Sequence, residues 1–295
     1  MIKRSKKNRN ILIIDLETHD CTFKSFPEID EFIGGEAVAT FLLKEFIKEG
    51  ISNIPYLSIT TGPFCGIFPY TSKSIVTVYK NNFFKNFVGG GNLGSFLNLS
   101  KVDSIQILNK SAKPIYLEIT GKSVRFIEPT KDFSLEGLGL SGRRSILELK
   151  EEIIAEQYFS YGEVGRFNPE NNLLGLVYST TGEVNISDME NYYEARNRIE
   201  KRENQMLVVR GANPSCYGCP MGCALSANPE NSNISVLPRS LVSCAYAEPI
   251  FSDINLVFSC FQAIGHNYDH EFLELFPLKL GALSSSLNNL LEEKR

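Results

Sequence analysis

Ile115-Tyr116-Leu117-Glu118-Ile119-Thr120-Gly121-Lys122-Ser123-Val124-Arg125-Phe126-Ile127 reads as a β-hairpin, with a Gly-containing turn at Thr120 to Lys122 joining residues 115–119 to 123–127. Upstream, Ile75, Thr77 and Tyr79 alternate with Val76 and Val78 in a β-branched run that favours a strand. Downstream, residues 173–178, the turn Ser179-Thr180-Thr181-Gly182 and residues 184–186 predict two more strands. Helices are set between them. Residues 36–48 place Val38, Leu42, Leu43 and Phe46 at helical spacing and end at Gly50, and Ser145 followed by Glu148 has the form of a capping box and predicts a second helix.

After about residue 187 the character changes. Ser187 with Glu190 predicts another helix start, and residues 188–202 are charged and helical. From Asp253 the pattern is helical, with breaks expected at Gly265-His266-Asn267 and near Pro277. It finishes with Leu283, Leu287, Leu290 and Leu291 on one face, which either docks on its own domain or awaits a partner subunit. The fold class expected is α+β: a mixed β-sheet N-terminal domain with inserted helices over 1–200, then a truncated α-helical domain over 201–295.

The chain has 295 residues, 43% of them hydrophobic and 22% charged, enough to bury two domains' cores. Thirty Lys and Arg against 34 Asp and Glu give a net charge of -4, which argues against a nucleic-acid partner. No apolar run approaches the roughly 20 residues of a membrane helix, and the apolar stretch behind the basic residues Lys3, Arg4, Lys6, Lys7 and Arg9 is too short for a signal peptide. A cytoplasmic, membrane-free location is expected, where close-spaced thiols hold metal more often than they form disulfides.

The strongest chemical signal is Cys216-Tyr217-Gly218-Cys219-Pro220-Met221-Gly222-Cys223. Three thiols on one tight loop can converge on one metal centre. Pro220 directly after Cys219 resembles a ferredoxin Cys-Pro junction, and the glycines let N–H groups approach the sulfurs. An iron–sulfur cluster is favoured, with zinc or unligated thiols as alternatives. The narrower gap comes first, opposite to a radical-SAM loop. A fourth ligand is sought among Cys244, Cys260, His266 and His270, none with diagnostic spacing; Cys244 and Cys260, like Cys21 and Cys65 upstream, read as buried small hydrophobes. Gly89 to Gly94 satisfies G-x-G-x-x-G, but without a βαβ unit it is a weak dinucleotide fingerprint and a structural turn is its commoner use. The histidines form no hydrolase constellation, and Arg143-Arg144 and Lys201-Arg202 read as solvated helix faces.

Several of these segments, in order along the chain, together resemble the aldehyde ferredoxin oxidoreductases, a family of tungsten or molybdenum pterin enzymes. Residues 32–45 resemble the family's first Gly-rich turn and helix, and Thr61-Gly62-Pro63-Phe64-Cys65-Gly66 its Gly-Pro-Leu-Thr-Gly segment. Gly90-Gly91-Asn92-Leu93-Gly94 is similar to its Gly-Gly-Tyr-Phe-Gly, Ala112-Lys113-Pro114-Ile115-Tyr116 to its Glu-Lys-Pro-Val-Tyr strand, and residues 172–188 to the strand pair that closes the first domain. Cys216, Cys219 and Cys223 fall where the family has three cysteines of its 4Fe-4S cluster. The resemblance implies cofactor-facing roles for Lys73, Gly90, Gly91 and Gly162. An iron–sulfur electron-transfer protein is expected, with a non-catalytic paralogue or a zinc-stabilised binding module as alternatives; if the chain is catalytic, the resemblance implies oxidation of an aldehyde to a carboxylic acid with ferredoxin as acceptor. It covers the front half of a full-length member, so a complementary C-terminal subunit, or an oligomer, is expected to complete the site.

Departures from the family's pattern fall at the polar positions that hold cofactor. Gly-Arg-Gly is replaced by Gly35-Glu36-Ala37, Arg by Lys73, Asn-Ser by Val88-Gly89, the Gly-Arg-Gly-Gly loop by Ser160-Tyr161-Gly162-Glu163, and Glu-Gly-Pro-Glu by Val236-Leu237-Pro238-Arg239. Lys lacks the planar fork of Arg, and Glu36 or Glu163 among phosphates would be repulsive. These changes weigh against a tungsten or molybdenum pterin.

Overall fold

The computed structural model describes residues 9–50, 55–121, 123–184, 186–205 and 236–294. Two six-stranded mixed sheets form the scaffold. The first, in order β2-β1-β6-β3-β4-β5, comprises β1 (Asn10–Asp15), β2 (Asp20–Ser25), β3 (Tyr56–Thr61), β4 (Ser74–Lys80), β5 (Phe83–Gly89) and β6 (Ser104–Leu108). The second, in order β11-β10-β9-β12-β7-β8, comprises β7 (Ile115–Thr120), β8 (Ser123–Ile127), β9 (Arg144–Leu149), β10 (Glu152–Ala155), β11 (Phe159–Glu163) and β12 (Leu173–Ser179). One pair in each sheet is parallel, β1 with β6 and β12 with β7; the rest are antiparallel. The opening hairpin is β7–β8, with Thr120 opposite Ser123.

The inner strands of the first sheet are buried on both faces, with side chains alternating between two cores. Leu12, Ile14, Leu57, Ile59, Val76 and Val78 point into a core shared with the second sheet and with Leu93 and Leu97 of α2 (Leu93–Leu99). On the opposite side Ile11, Tyr56 and Tyr79 belong to a core made with α1 (Gly35–Lys48) and the later helices. That second face also carries a buried polar ladder. Tyr56 OH donates to Gln106 Oε1 at 2.5 Å, Gln106 Nε2 to Ser104 Oγ at 2.7 Å, and Ser104 Oγ lies 2.8 Å from Thr60 Oγ1.

The later helices are α3 (Met189–Glu200), α4 (Val236–Leu241), α5 (Glu248–Phe251), α6 (Ile254–Ala263) and α7 (His270–Glu293). Among the described residues no helix is long and apolar enough to cross a membrane. α7 packs on α1, α4 and α6, and Leu283, Leu287 and Leu291 are buried in the helical core. Lys294 Nζ caps the Ile47 carbonyl of α1 at 2.7 Å, placing a cation at that helix's negative end. The terminal stripe therefore docks within the chain, the first of its two expected alternatives.

Four local expectations also change. Ser145 opens no helix: it lies in β9, paired to β10 and β12, because Ile146 and Leu147 are drawn into the sheet cores. Val184 and Ile186 form no strand. The cap of α3 is Asp188 rather than Ser187, its carboxylate accepting the Asn191 N–H at 3.0 Å. Pro277 lies inside α7 rather than ending it, flanked by buried Phe276 and Leu280. The break at 265–267 falls where expected, between α6 and α7.

Candidate functional site

The cysteine loop of Cys216, Cys219 and Cys223 lies outside the described residues. Among the described residues no group of three or more His, Cys, Asp or Glu side chains is arranged to hold a metal. Cys260 sits fully buried on α6, where burial pushes its thiol pKa up against a smaller opposing effect of Arg198. Cys244 is half-buried, its N–H donating to the Tyr70 carbonyl at 2.6 Å. His266 stacks on Tyr268 and His270 packs against Phe258. Cys65 is buried as expected, but Cys21 is exposed on the edge strand β2.

The positions implied as cofactor-facing converge at the edge where β5 of the first sheet meets β11 of the second. Lys73 leads into β4 and is buried; its N–H donates to the Val242 carbonyl at 3.3 Å and its carbonyl accepts from Cys65 Sγ at 3.1 Å. Gly90 and Gly91 follow β5, and Gly91 takes a φ of 92°, open to glycine. Gly162 lies in β11 opposite Ile153.

The chain's own side chains occupy this edge. Ile153 pairs with Gly162 but Ile154 pairs with Ser160, so Tyr161 is the extra residue of a β-bulge. A bulge re-aims a side chain. Here the Tyr161 ring lies directly over Gly89, where an added Cβ would stand 2.0 Å from a ring carbon. Its hydroxyl donates to the Gly90 carbonyl at 2.9 Å and lies 2.7 Å from Ser74 Oγ. Beside it, Glu156 Oε1 accepts from the Asn92 N–H at 3.2 Å and from Ser145 Oγ, and Oε2 accepts from the Ile146 N–H at 3.4 Å.

The other Gly-rich segments are likewise closed by backbone. A Cβ on Gly62 would stand 2.4 Å from the Leu241 carbonyl oxygen at the end of α4, and Thr61 Oγ1 donates to the Gly94 carbonyl at 2.8 Å. Glu36 is not left facing an anion: Arg239 Nη1 lies 3.2 Å from its Oε2. Arg143 and Arg144 are not helical; Arg143 precedes β9 and bonds the Gly182 carbonyl, and Arg144 opens β9 and bonds the Leu138 carbonyl. Arg202 pairs with Asp253 at 2.6 Å rather than facing solvent alone.

Among the described residues, those at this edge do not fit an anionic pterin. An aromatic ring covers the glycine face, and a carboxylate holds the N–H a phosphate would need. Only the resemblance points to the loop of Tyr161, and no sequence motif points to Glu156. The one local signal for Glu156 was its place in a short turn between two apolar runs.

Residues 11–158, half of the chain, match the family model described as aldehyde ferredoxin oxidoreductase, N-terminal domain, and the chain belongs to that family. It is 28% identical over 155 residues to an aliphatic sulfonate oxidoreductase, WOR-like subunit, of Pyrococcus furiosus, a match covering 50% of this chain and 25% of the relative. The chain thus matches about a quarter of that relative's length. In fold it is similar to the active site complex BamBC of benzoyl coenzyme A reductase, solved with 1,5 dienoyl-CoA, at a TM-score of 0.55 and 17% identity, over 71% of this chain and 37% of that one.

Proposed function

We propose that this chain is an iron–sulfur electron-transfer subunit of an oxidoreductase assembly, and that it does not carry the assembly's pterin. Cys216, Cys219 and Cys223 would hold a 4Fe-4S cluster, which supplies one-electron redox chemistry. The observation that carries this reading is the pairing of a three-thiol loop with a cradle filled by Tyr161 and Glu156. By name, one relative is a subunit and the structural neighbour a complex, which supports a partner chain. A complementary catalytic subunit would oxidise the aldehyde to the carboxylic acid, water supplying the oxygen and two electrons passing singly to ferredoxin. The chain's part would be to position electron transfer, in a cytoplasmic complex.

The test is anaerobic purification followed by iron, sulfide and zinc analysis and electron paramagnetic resonance of the reduced protein. About 4 iron per chain with matching sulfide is expected; about 1 zinc with no sulfide overturns the redox reading in favour of a structural module. Aldehyde-dependent viologen reduction is expected only once a second chain is added.

A further inference from the structure

We infer that Tyr161 and Glu156 are built-in occupants of the family's cofactor cradle, and that the front domain reaches its native state without a metal-pterin. The inference rests on the chain's place in the family and on the geometry of the two sheets, not on the cysteine loop.

Three independent features converge on it. The first is the bulge. A regular β10–β11 ladder would give every residue a partner; skipping Tyr161 turns its ring across the gap onto β5, so the residue clasps the edges of the two sheets. The ring is fully buried and its hydroxyl has both a donor and an acceptor. Such a side chain is part of the core rather than a movable cover.

The second is backbone strain at the turn between β10 and β11. Glu156 and Gln157 both take left-handed φ values, 54° and 59°, and Tyr158 N–H closes the turn on the Ala155 carbonyl at 3.0 Å. Two successive left-handed residues are the demand of a type I′ turn, which favours Asn and Gly. Here a glutamate holds the first place, and its carboxylate is gathered in by two backbone N–H groups and a hydroxyl. The strain is held by contacts that an anionic ligand would have to displace.

The third is charge. The Asn92 N–H, presented by the turn after Gly91, is bonded to a carboxylate of the protein itself. A phosphate brought there would meet an anion and would find that N–H taken.

The experiment compares full-length protein produced with and without added tungstate and molybdate. Tungsten and molybdenum are measured by mass spectrometry, released pterin by fluorescence after oxidation, and the thermal midpoint by calorimetry; iron is read in the same sample, so failure of the cluster proposal is recorded separately. Expected are no pterin, tungsten and molybdenum at background, and the same midpoint from both media. The Tyr161→Phe variant, which keeps the ring and removes the hydroxyl, is expected to melt about 2–6 °C lower in either medium. Near-stoichiometric tungsten or molybdenum with released pterin, or a midpoint that rises with the added metal, overturns the inference.

Discussion

Arg239 and Glu36 form an ion pair across the junction of α4 with the start of α1, Nη1 to Oε2 at 3.2 Å. The resemblance sets an Arg where this chain has Glu36 and a Glu where it has Arg239, so the two departures are reciprocal and the contact between them is a charge pair of opposite sense. Isolated, each change reads as the loss of a cofactor-binding group. Together they make a structural contact. Glu36→Ala is expected to cost about 1 kcal/mol or less, and Glu36→Arg more because two guanidinium groups then face each other; the double exchange Glu36→Arg with Arg239→Glu should recover most of that loss in a urea-unfolding cycle.

The same pair gives stability a pH dependence. Burial raises the Glu36 carboxyl above its ordinary value, with Arg239 pulling the other way. The folded chain therefore keeps that proton to higher pH than the unfolded chain does, and this group's contribution to stability falls as pH rises from the ordinary glutamate value through the raised one. Urea midpoints measured in steps over about pH 4–7 should lose part of their downward slope in Glu36→Gln.

Gln106 of β6 ties that strand to β3 through Tyr56 and also bonds Ser104 of its own strand, in a fully buried setting. Gln106→Ala strands the Tyr56 hydroxyl and is expected to lower unfolding free energy by about 1–3 kcal/mol, read from chemical denaturation.

In α7, Leu287 is fully buried against the helical core whereas Leu278 is 73% exposed. Leu287→Ala should destabilise by about 2–5 kcal/mol and Leu278→Ala by about 0.5 kcal/mol or less. Equal effects would contradict the packing of α7 within the chain.

Cys260→Ala should leave the iron content unchanged while costing about 1 kcal/mol for the small void, whereas Cys216→Ala, Cys219→Ala and Cys223→Ala should each lower bound iron severalfold. Iron loss in Cys260→Ala would identify it as a ligand.

Legibility followed the range of the forces involved. The β7–β8 hairpin, β4 and α1 are visible in sequence because period and turn chemistry are local. Ser145 with Glu148 imitates a helix start, yet Ser145 Oγ bonds Glu156 instead of a helix N–H, a tertiary contact that local spacing does not encode. Pro277 predicts a break, but helix packing on both sides carries α7 through it. The family, and the positions of Gly90, Gly91 and Gly162, could be found from motifs. What fills them could not: Tyr161 meets Gly89 and Glu156 meets Asn92 only once two separate sheets are brought edge to edge.

Electron density at the edge between β5 and β11 decides whether Tyr161 and Glu156 hold the place of a cofactor. Crystals of protein from tungstate-supplemented cells should show the Tyr161 hydroxyl bonded to Ser74 and the Gly90 carbonyl, with no anomalous tungsten signal nearby. A tungsten peak in the cradle, with Tyr161 swung away from Gly89 and Glu156 released from Asn92, would contradict it.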